Sequence, residues 1–455
     1  MLLKKPGKAP PEEFDVMKIA LHLFVAFVLI FCLARTAQSD DLADLKKQLS
    51  VLEKKVDVLE RKRNKKKKSQ AHQKALEQKV RQLEEEVSFL QEQQETFLQK
   101  IERRIKLNLY GTLKFEDFAN ADSTFDARNI ELFVDANITD RLRGFTEIEF
   151  ERTATTHAGS REGEVEIEQG WIEYNINPYF NPRFGVILVP FGKFNLEHFD
   201  PFRDLTDRPI AMRRVIPTTW SEAGAGFTGD AFPGHRLPEP FNNFTINYQF
   251  YFINGLTDDL DDTGTRNARG SFKTDTNNNK AIVGRIGLSP FSDQEIGISG
   301  YYGEYNDKGK NIFGVDVDWD FSSGPWELIG EYAFFNLEKG FQKNNPAQTV
   351  PETLSGGYVQ VNYHFWFDVL NSTFLGRNFS APTFTAIVRY GEARIDDDGD
   401  PGTGDNDESR LTIGFNYRPV EPFAFKIEYQ LNQTDHEVLE RGNNNGFVAS
   451  VSAAF

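Results

Sequence analysis

Beyond residue 106 the chain alternates with a period of two. Phe423, Phe425, Ile427, Tyr429 and Leu431 are interleaved with Ala424, Lys426, Glu428, Gln430 and Asn432. Phe313, Val315, Val317, Trp319 and Phe321 are set against Asp316, Asp318 and Asp320, and Phe244, Ile246, Tyr248, Phe250 and Phe252 against Thr245, Asn247 and Gln249. Successive side chains of a strand point to opposite faces, so each segment carries one apolar and one polar face. A soluble sandwich with its polar faces outward gives the same alternation, so the pattern alone does not name the solvent of either face.

Count and spacing decide more. Sixteen such segments begin near Leu107, Phe125, Leu142, Val165, Phe184, Ala223, Phe244, Ala281, Ile296, Ile312, Trp326, Tyr358, Phe384, Leu411, Phe423 and Phe447. They recur about every 22 residues, which suits an even-numbered barrel with spans of roughly ten residues. Connections after even-numbered segments include the short 137–140, 289–293, 322–324 and 418–422. Those after odd-numbered segments include the long 191–221, 254–280, 336–355, 395–409 and 433–445. Short turns at one rim and long loops at the other are the transmembrane barrel arrangement. Two even connections, 230–243 and 368–382, are longer than that rule favours.

Composition agrees. Of 41 Phe, 35 lie beyond residue 106 together with all 14 Tyr and all 5 Trp, yet the net charge is −16 and the mean hydropathy −0.50. Strands with one face in lipid and one in water average out polar while concentrating aromatics outside. A single cysteine, Cys32, excludes an internal disulfide framework and a Cys-based zinc cluster. The last segment, Gly446 to Phe455, ends on an aromatic residue. It resembles the closing strand by which bacterial outer-membrane proteins are recognised for assembly, with Phe455 as the signal.

The first 106 residues differ in period. Lys18 precedes an apolar run from Ile19 to Ala34, with Ala37 and Ser39 spaced for cleavage, so residues 1–39 read as a signal peptide whose true start is either Met1 or Met17. Leu42, Leu45, Leu49, Leu52, Val56 and Leu59 form one heptad seam, and Leu76, Val80, Leu83, Val87, Leu90, Phe97 and Ile101 a second. The basic run 61–68 (RKRNKKKK) breaks the phase between them. Residues 40–106 are therefore expected to be a self-associating periplasmic coiled coil with a basic hinge. The hinge is either solvated or a contact for an anionic polymer such as peptidoglycan, or for lipid head groups. Nucleic acid is not an expected partner of an exported chain. The expected fold is thus an all-β transmembrane β-barrel of about sixteen antiparallel strands at 107–455 behind an N-terminal α-helical coiled coil.

A barrel this wide leaves a water channel for small ions or solutes unless something narrows it. The loop 191–221 is the element expected to do so, carrying Lys193, Arg203, Arg208, Arg213 and Arg214 among Glu197, Asp200, Asp204 and Asp207, with Glu222 just beyond. Apposed charges across a constriction sort solutes by charge, although about half of these are expected simply to pin the loop. Arg213 and Arg214 are the expected anion-facing pair. Arg141, Arg143, Glu147 and Glu149 are expected to line the lumen.

Leu109-Tyr110-Gly111-Thr112-Leu113, then Gly185-Val186-Ile187-Leu188-Val189-Pro190-Phe191-Gly192, then the loop ending Glu222-Ala223-Gly224-Ala225-Gly226, resemble the phosphate-selective porin family. The resemblance implies a homotrimeric sixteen-stranded channel in the outer-membrane lipid whose third loop folds inward. Phosphate-selective members line their pores with basic residues. Residues 107–455 here carry a net charge of −23, which argues against phosphate and leaves selectivity open. Acidic runs at 258–262 and 396–408 lie on the long-loop side, and Pro401 at the place of the turn glycine rules out an EF-hand. The histidines show neither zinc-site spacing nor a nucleophile–base pattern, so no metal, cofactor or enzymatic activity is expected. Two functions remain: a diffusion channel, or a structural tether that grips the cell wall through the basic coiled coil.

Overall fold

The computed structural model describes residues 104–455 apart from 153–162, 233–242, 397–406, 435–443 and a few positions between 262 and 348, together with helical residues within 47–58 and 78–91. The signal peptide at 1–39, the alternative start at Met17, the basic hinge at 61–68 and most of the acidic run at 396–408 lie outside the described residues. Contacts divide the chain between Arg104 and Ile105. In the first unit the seam residues Leu52, Val80 and Leu90 are buried, while Val51, Val58 and Phe89, off the seam, are exposed.

The second unit is a closed antiparallel barrel of sixteen strands, each paired with its neighbours in sequence. They are β1 (Ile105–Phe118), β2 (Thr124–Asn137), β3 (Leu142–Glu151), β4 (Glu164–Tyr174), β5 (Asn181–Leu188) and β6 (Ser221–Ala231). There follow β7 (Thr245–Ile253), β8 (Ala281–Phe291), β9 (Gln294–Glu304), β10 (Asn311–Ser323) and β11 (Trp326–Leu337). The last are β12 (Thr353–Phe365), β13 (Thr383–Asp396), β14 (Glu408–Val420), β15 (Phe423–Thr434) and β16 (Gly446–Ala454). Each begins within five residues of a position expected from alternation, and among the described residues the two long even connections add no strand. Closure runs from Tyr110 opposite Ala454 to Phe118 opposite Gly446, with Leu109 and Phe455 exchanging backbone hydrogen bonds of 2.8 Å. Among the described residues no helix is long and apolar enough to cross a membrane.

The barrel is inside out relative to a soluble domain. On β15 the apolar Phe425, Ile427, Tyr429 and Leu431 are exposed, whereas Lys426, Glu428 and Gln430 are buried. On β10 Phe313, Val315 and Val317 are exposed and Asp316 and Asp318 buried. Sheet closure leaves no free edge, so every strand can present one face outward and one to the lumen.

Part of the lumen is apolar, contrary to the expectation of a polar interior throughout. Towards the long-loop rim, inward residues of β7 to β12 (Tyr251, Ile253, Val283, Tyr301, Phe335 and Leu354) join Val189, Phe191, Met212, Ile216 and Trp220 of the 189–220 loop in one buried cluster. β7 shows the change along its own length, since inward Thr245, Asn247 and Gln249 give way to Tyr251 and Ile253.

Candidate functional site

The loop 189–220 lies inside the barrel, and its root is tied shut. Val189 N–H donates to the Trp220 carbonyl at 2.9 Å. Buried Asn195 donates to the carbonyls of Val189 at 2.9 Å and Trp220 at 3.0 Å, and accepts from Trp220 N–H at 2.8 Å. Phe191 stacks on Phe335 with ring centroids 4.8 Å apart and meets Trp220 edge-on at 6.1 Å. The Val-Pro-Phe-Gly element thus serves to turn the chain inward. Gly192 holds φ at +80°, and a Cβ there would stand 1.9 Å from Glu331 Oε1. Two short helices follow, α1 (Lys193–Leu196) and α2 (Ala211–Arg214).

From α1 the loop crosses to the opposite wall through polar contacts, and most of the charges expected at a constriction serve to fasten it. Lys193 Nζ meets Asp320 Oδ2 of β10 at 2.9 Å. Arg203 pairs with Asp200 and also donates to the Thr206 carbonyl at 2.9 Å. Asp204 accepts from Asn362 of β12 at 2.7 Å and Asn416 of β14 at 2.9 Å, with Arg418 at 3.5 Å. Asp207 accepts from Lys114 of β1 and Gln430 of β15, each at 2.8 Å. Burial alone would raise the Asp207 carboxyl, but Lys114, Arg410 and Arg128 outweigh it and hold the group well below the usual carboxylate range. Asp200 is held down likewise against its burial, by Arg203, Arg128 and Lys426.

The expected pair Arg213 and Arg214 separates. Arg214 is buried and bound to Glu408 of β14, whereas Arg213 on the same helix is exposed. Adjacent helical residues point about 100° apart, so one turn cannot present both to one space. Arg213 instead belongs with three other arginines. Arg208 and Arg266 donate to the Thr218 carbonyl at 2.6 Å and 2.9 Å, and Arg269 to the Thr219 carbonyl at 2.8 Å. Burial, with Arg269, Arg213 and Arg208 nearby, pushes Arg266 down to about 10. Arg266 and Arg269 line a cavity of about 660 Å³ with Glu166, Glu168, Thr219 and Ser221. Both come from the loop 254–280, which carried no expectation because loop-to-loop apposition leaves no trace in local spacing.

Of the lumen ladder, Glu147 is fully buried and Glu149 accepts from Asn129 at 3.1 Å. Arg143 pairs with Asp135 at 2.9 Å and lies over Trp171, 5.4 Å from its ring centroid. Arg141 departs from expectation. It precedes β3, in the exposed short turn, because the strand starts at Leu142. Glu222 is buried and accepts from Trp220 Nε1 at 3.3 Å and Gly270 N–H at 3.3 Å, so it braces the loop ends. Arg208 lies within electrostatic reach of Glu149 and Glu168, and Arg269 of Glu166, so cationic and anionic groups face each other here.

The chain matches no known family model. An uncharacterized protein of Aquifex aeolicus (strain VF5) is 24% identical over 352 residues, which cover 72% of this chain and 76% of that protein. The structure of Salmonella typhi OmpF in complex with daunomycin aligns with 77% of this chain and 97% of its own, at 12% identity and a TM-score of 0.54. The anion-selective porin from Comamonas acidovorans aligns over 77% of this chain and 100% of its own at 10% identity, with a TM-score of 0.48. The OmpF likeness shows that this chain shares the fold of that protein.

Proposed function

We propose that the chain is an outer-membrane porin, a passive channel for small ions or solutes, constricted by the loop 189–220. One observation carries this reading: the barrel is closed, apolar outside and lined within by buried charged residues on strands such as β10 and β15. Such a surface is stable only with lipid around it and water or bonded charge inside. Short turns would then face the periplasm, the compartment in which the coiled coil expected at 40–106 would lie, and three copies would assemble as the family resemblance implies.

The constriction in this reading lies between the cluster of Arg208, Arg213, Arg266 and Arg269 and the glutamates of β3 and β4. A transverse field of this kind sorts solutes by charge and dipole. Purified protein in planar bilayers is expected to give discrete conductance steps, and a consistent absence of conductance defeats the proposal. In a salt gradient, Arg213→Ala is expected to shift the reversal potential towards cations while Arg214→Ala, whose side chain is occupied by Glu408, leaves it nearly unchanged. Equal effects would move the constriction elsewhere.

A further inference from the structure

Where the loop meets the wall of β2, β3 and β4, four side chains converge: Glu131, Glu147, Glu168 and His198. One ligand-type atom of each lies within 4.8 Å of all the others, and all four residues are buried. Glu131 and Glu147 are diagonal neighbours on β2 and β3, for Glu131 is opposite Glu149 and Phe133 opposite Glu147. Glu168 reaches the same point through a bulge. Glu147 is opposite Gln169 and Ile148 opposite Ile167, so Glu168 is the extra residue and both it and Gln169 turn inward.

Three of the four groups are held from behind and leave an atom aimed at the centre. His198 Nδ1 faces the Asn195 carbonyl at 3.1 Å and is therefore the donor nitrogen, which directs Nε2 into the cluster, 2.8 Å from Glu168 Oε2 and 3.8 Å from Glu147 Oε1. Asn129 donates to Glu131 Oε1 at 2.7 Å, and Gln169 to Glu147 Oε2 at 2.6 Å. The opposite oxygens, Glu131 Oε2 and Glu147 Oε1, are buried without a well-formed hydrogen bond, and the Tyr110 hydroxyl is the nearby group that reaches Glu131. A proton on His198 does not resolve this. An imidazolium has two N–H groups, one directed to Asn195 and one to Glu168, so both oxygens are left to be satisfied either by a proton shared between the Glu131 and Glu147 carboxyls or by a cation held among all four groups.

We propose that these four residues bind one divalent transition cation, of the Zn²⁺ or Mn²⁺ class, which clips the loop to the wall. Three carboxylates and one imidazole make a mixed oxygen and nitrogen set, which favours such ions over Ca²⁺ with its all-oxygen preference. The Asn195, Asn129 and Gln169 contacts are the outer supports that metal ligands characteristically have. Ligand atoms at about 2.0–2.2 Å from an ion stand roughly 3–3.5 Å apart, so small side-chain shifts close the site. The sequence showed no metal spacing because the ligands come from three strands and a loop.

The test uses the full chain refolded in detergent and stripped with chelator, so its outcome is independent of conductance. Titration with Zn²⁺ is expected to saturate at about one ion per chain, with Ca²⁺ at least about tenfold weaker. Glu147→Gln and His198→Gln should each weaken Zn²⁺ by about tenfold or more, while His364→Gln, at a distant histidine, leaves it unchanged. If a variant fails to fold, Mn²⁺ bound to the wild type is examined for electron-spin-echo modulation from a coordinated imidazole nitrogen. No saturable site, unaltered binding in folded Glu147→Gln, Ca²⁺ as tight as Zn²⁺, or no nitrogen coupling would each overturn the proposal.

Discussion

Asp204 and Asp207 are three residues apart, yet they draw their partners from β12 and β14 in one case and from β1 and β15 in the other. A loop that crosses a lumen has many unsatisfied polar groups, and at these positions the wall supplies the donors. Removing Asp204 leaves Arg418 supported by the Phe202 and Arg203 carbonyls, at 3.1 Å and 2.8 Å, so no naked charge results. Asp204→Ala is therefore expected to cost about 1–3 kcal/mol, the range for charge-assisted hydrogen bonds. Unitary conductance should rise as this stretch comes free, with the barrel still intact by its heat-shifted migration. Unchanged conductance would place the loop outside the ion path. That these charges belong to the loop was legible in the sequence. Which of them faces solvent was not, because Arg213 and Arg214 differ only in helical phase on a turn set by tertiary packing.

At the scale of elements, the root of the loop and the strand faces carry separate predictions. Phe191 fills a pocket among Trp220, Tyr301 and Phe335, so Phe191→Ala should destabilise the folded protein by about 3–5 kcal/mol through lost burial and a residual cavity. Urea unfolding in the presence of vesicles would measure it, and a loss under about 1 kcal/mol would mean the cluster is not a core. Val317 stands on the outer face of β10 with 42% of its surface exposed. Val317→Arg should cost about 2–4 kcal/mol if that face meets the middle of a bilayer and almost nothing if it meets water. The same unfolding series separates these outcomes. The bulge in β4 did leave a trace in the sequence. Outward apolar residues fall at Val165 and Ile167, then at Ile172 and Tyr174, and this switch from odd to even positions is the signature of one inserted residue.

At the scale of the whole molecule, β1 and β16 complete the barrel through a nine-residue register. Truncation after Asn445 removes β16 and leaves β1 and β15 as open edges, so it should abolish the heat-shifted, protease-resistant form. The fragment Ile105–Phe455, by contrast, contains every strand pairing and should insert by itself into vesicles with full β content. Failure of that fragment would assign residues before 105 a part in barrel formation. The amino-acid sequence by itself determined the strand positions and their number, because alternation is a local property written residue by residue, and the strand count with its alternating connection lengths then pointed to the inside-out faces. Tertiary structure alone decided that the lumen is partly apolar, that Arg266 and Arg269 join Arg208 and Arg213, and that His198 meets three glutamates. The arginines and the His198 cluster span up to about 70 residues of chain and the apolar cluster takes in both Val189 and Leu354, and only sheet closure and the inward loop bring them together.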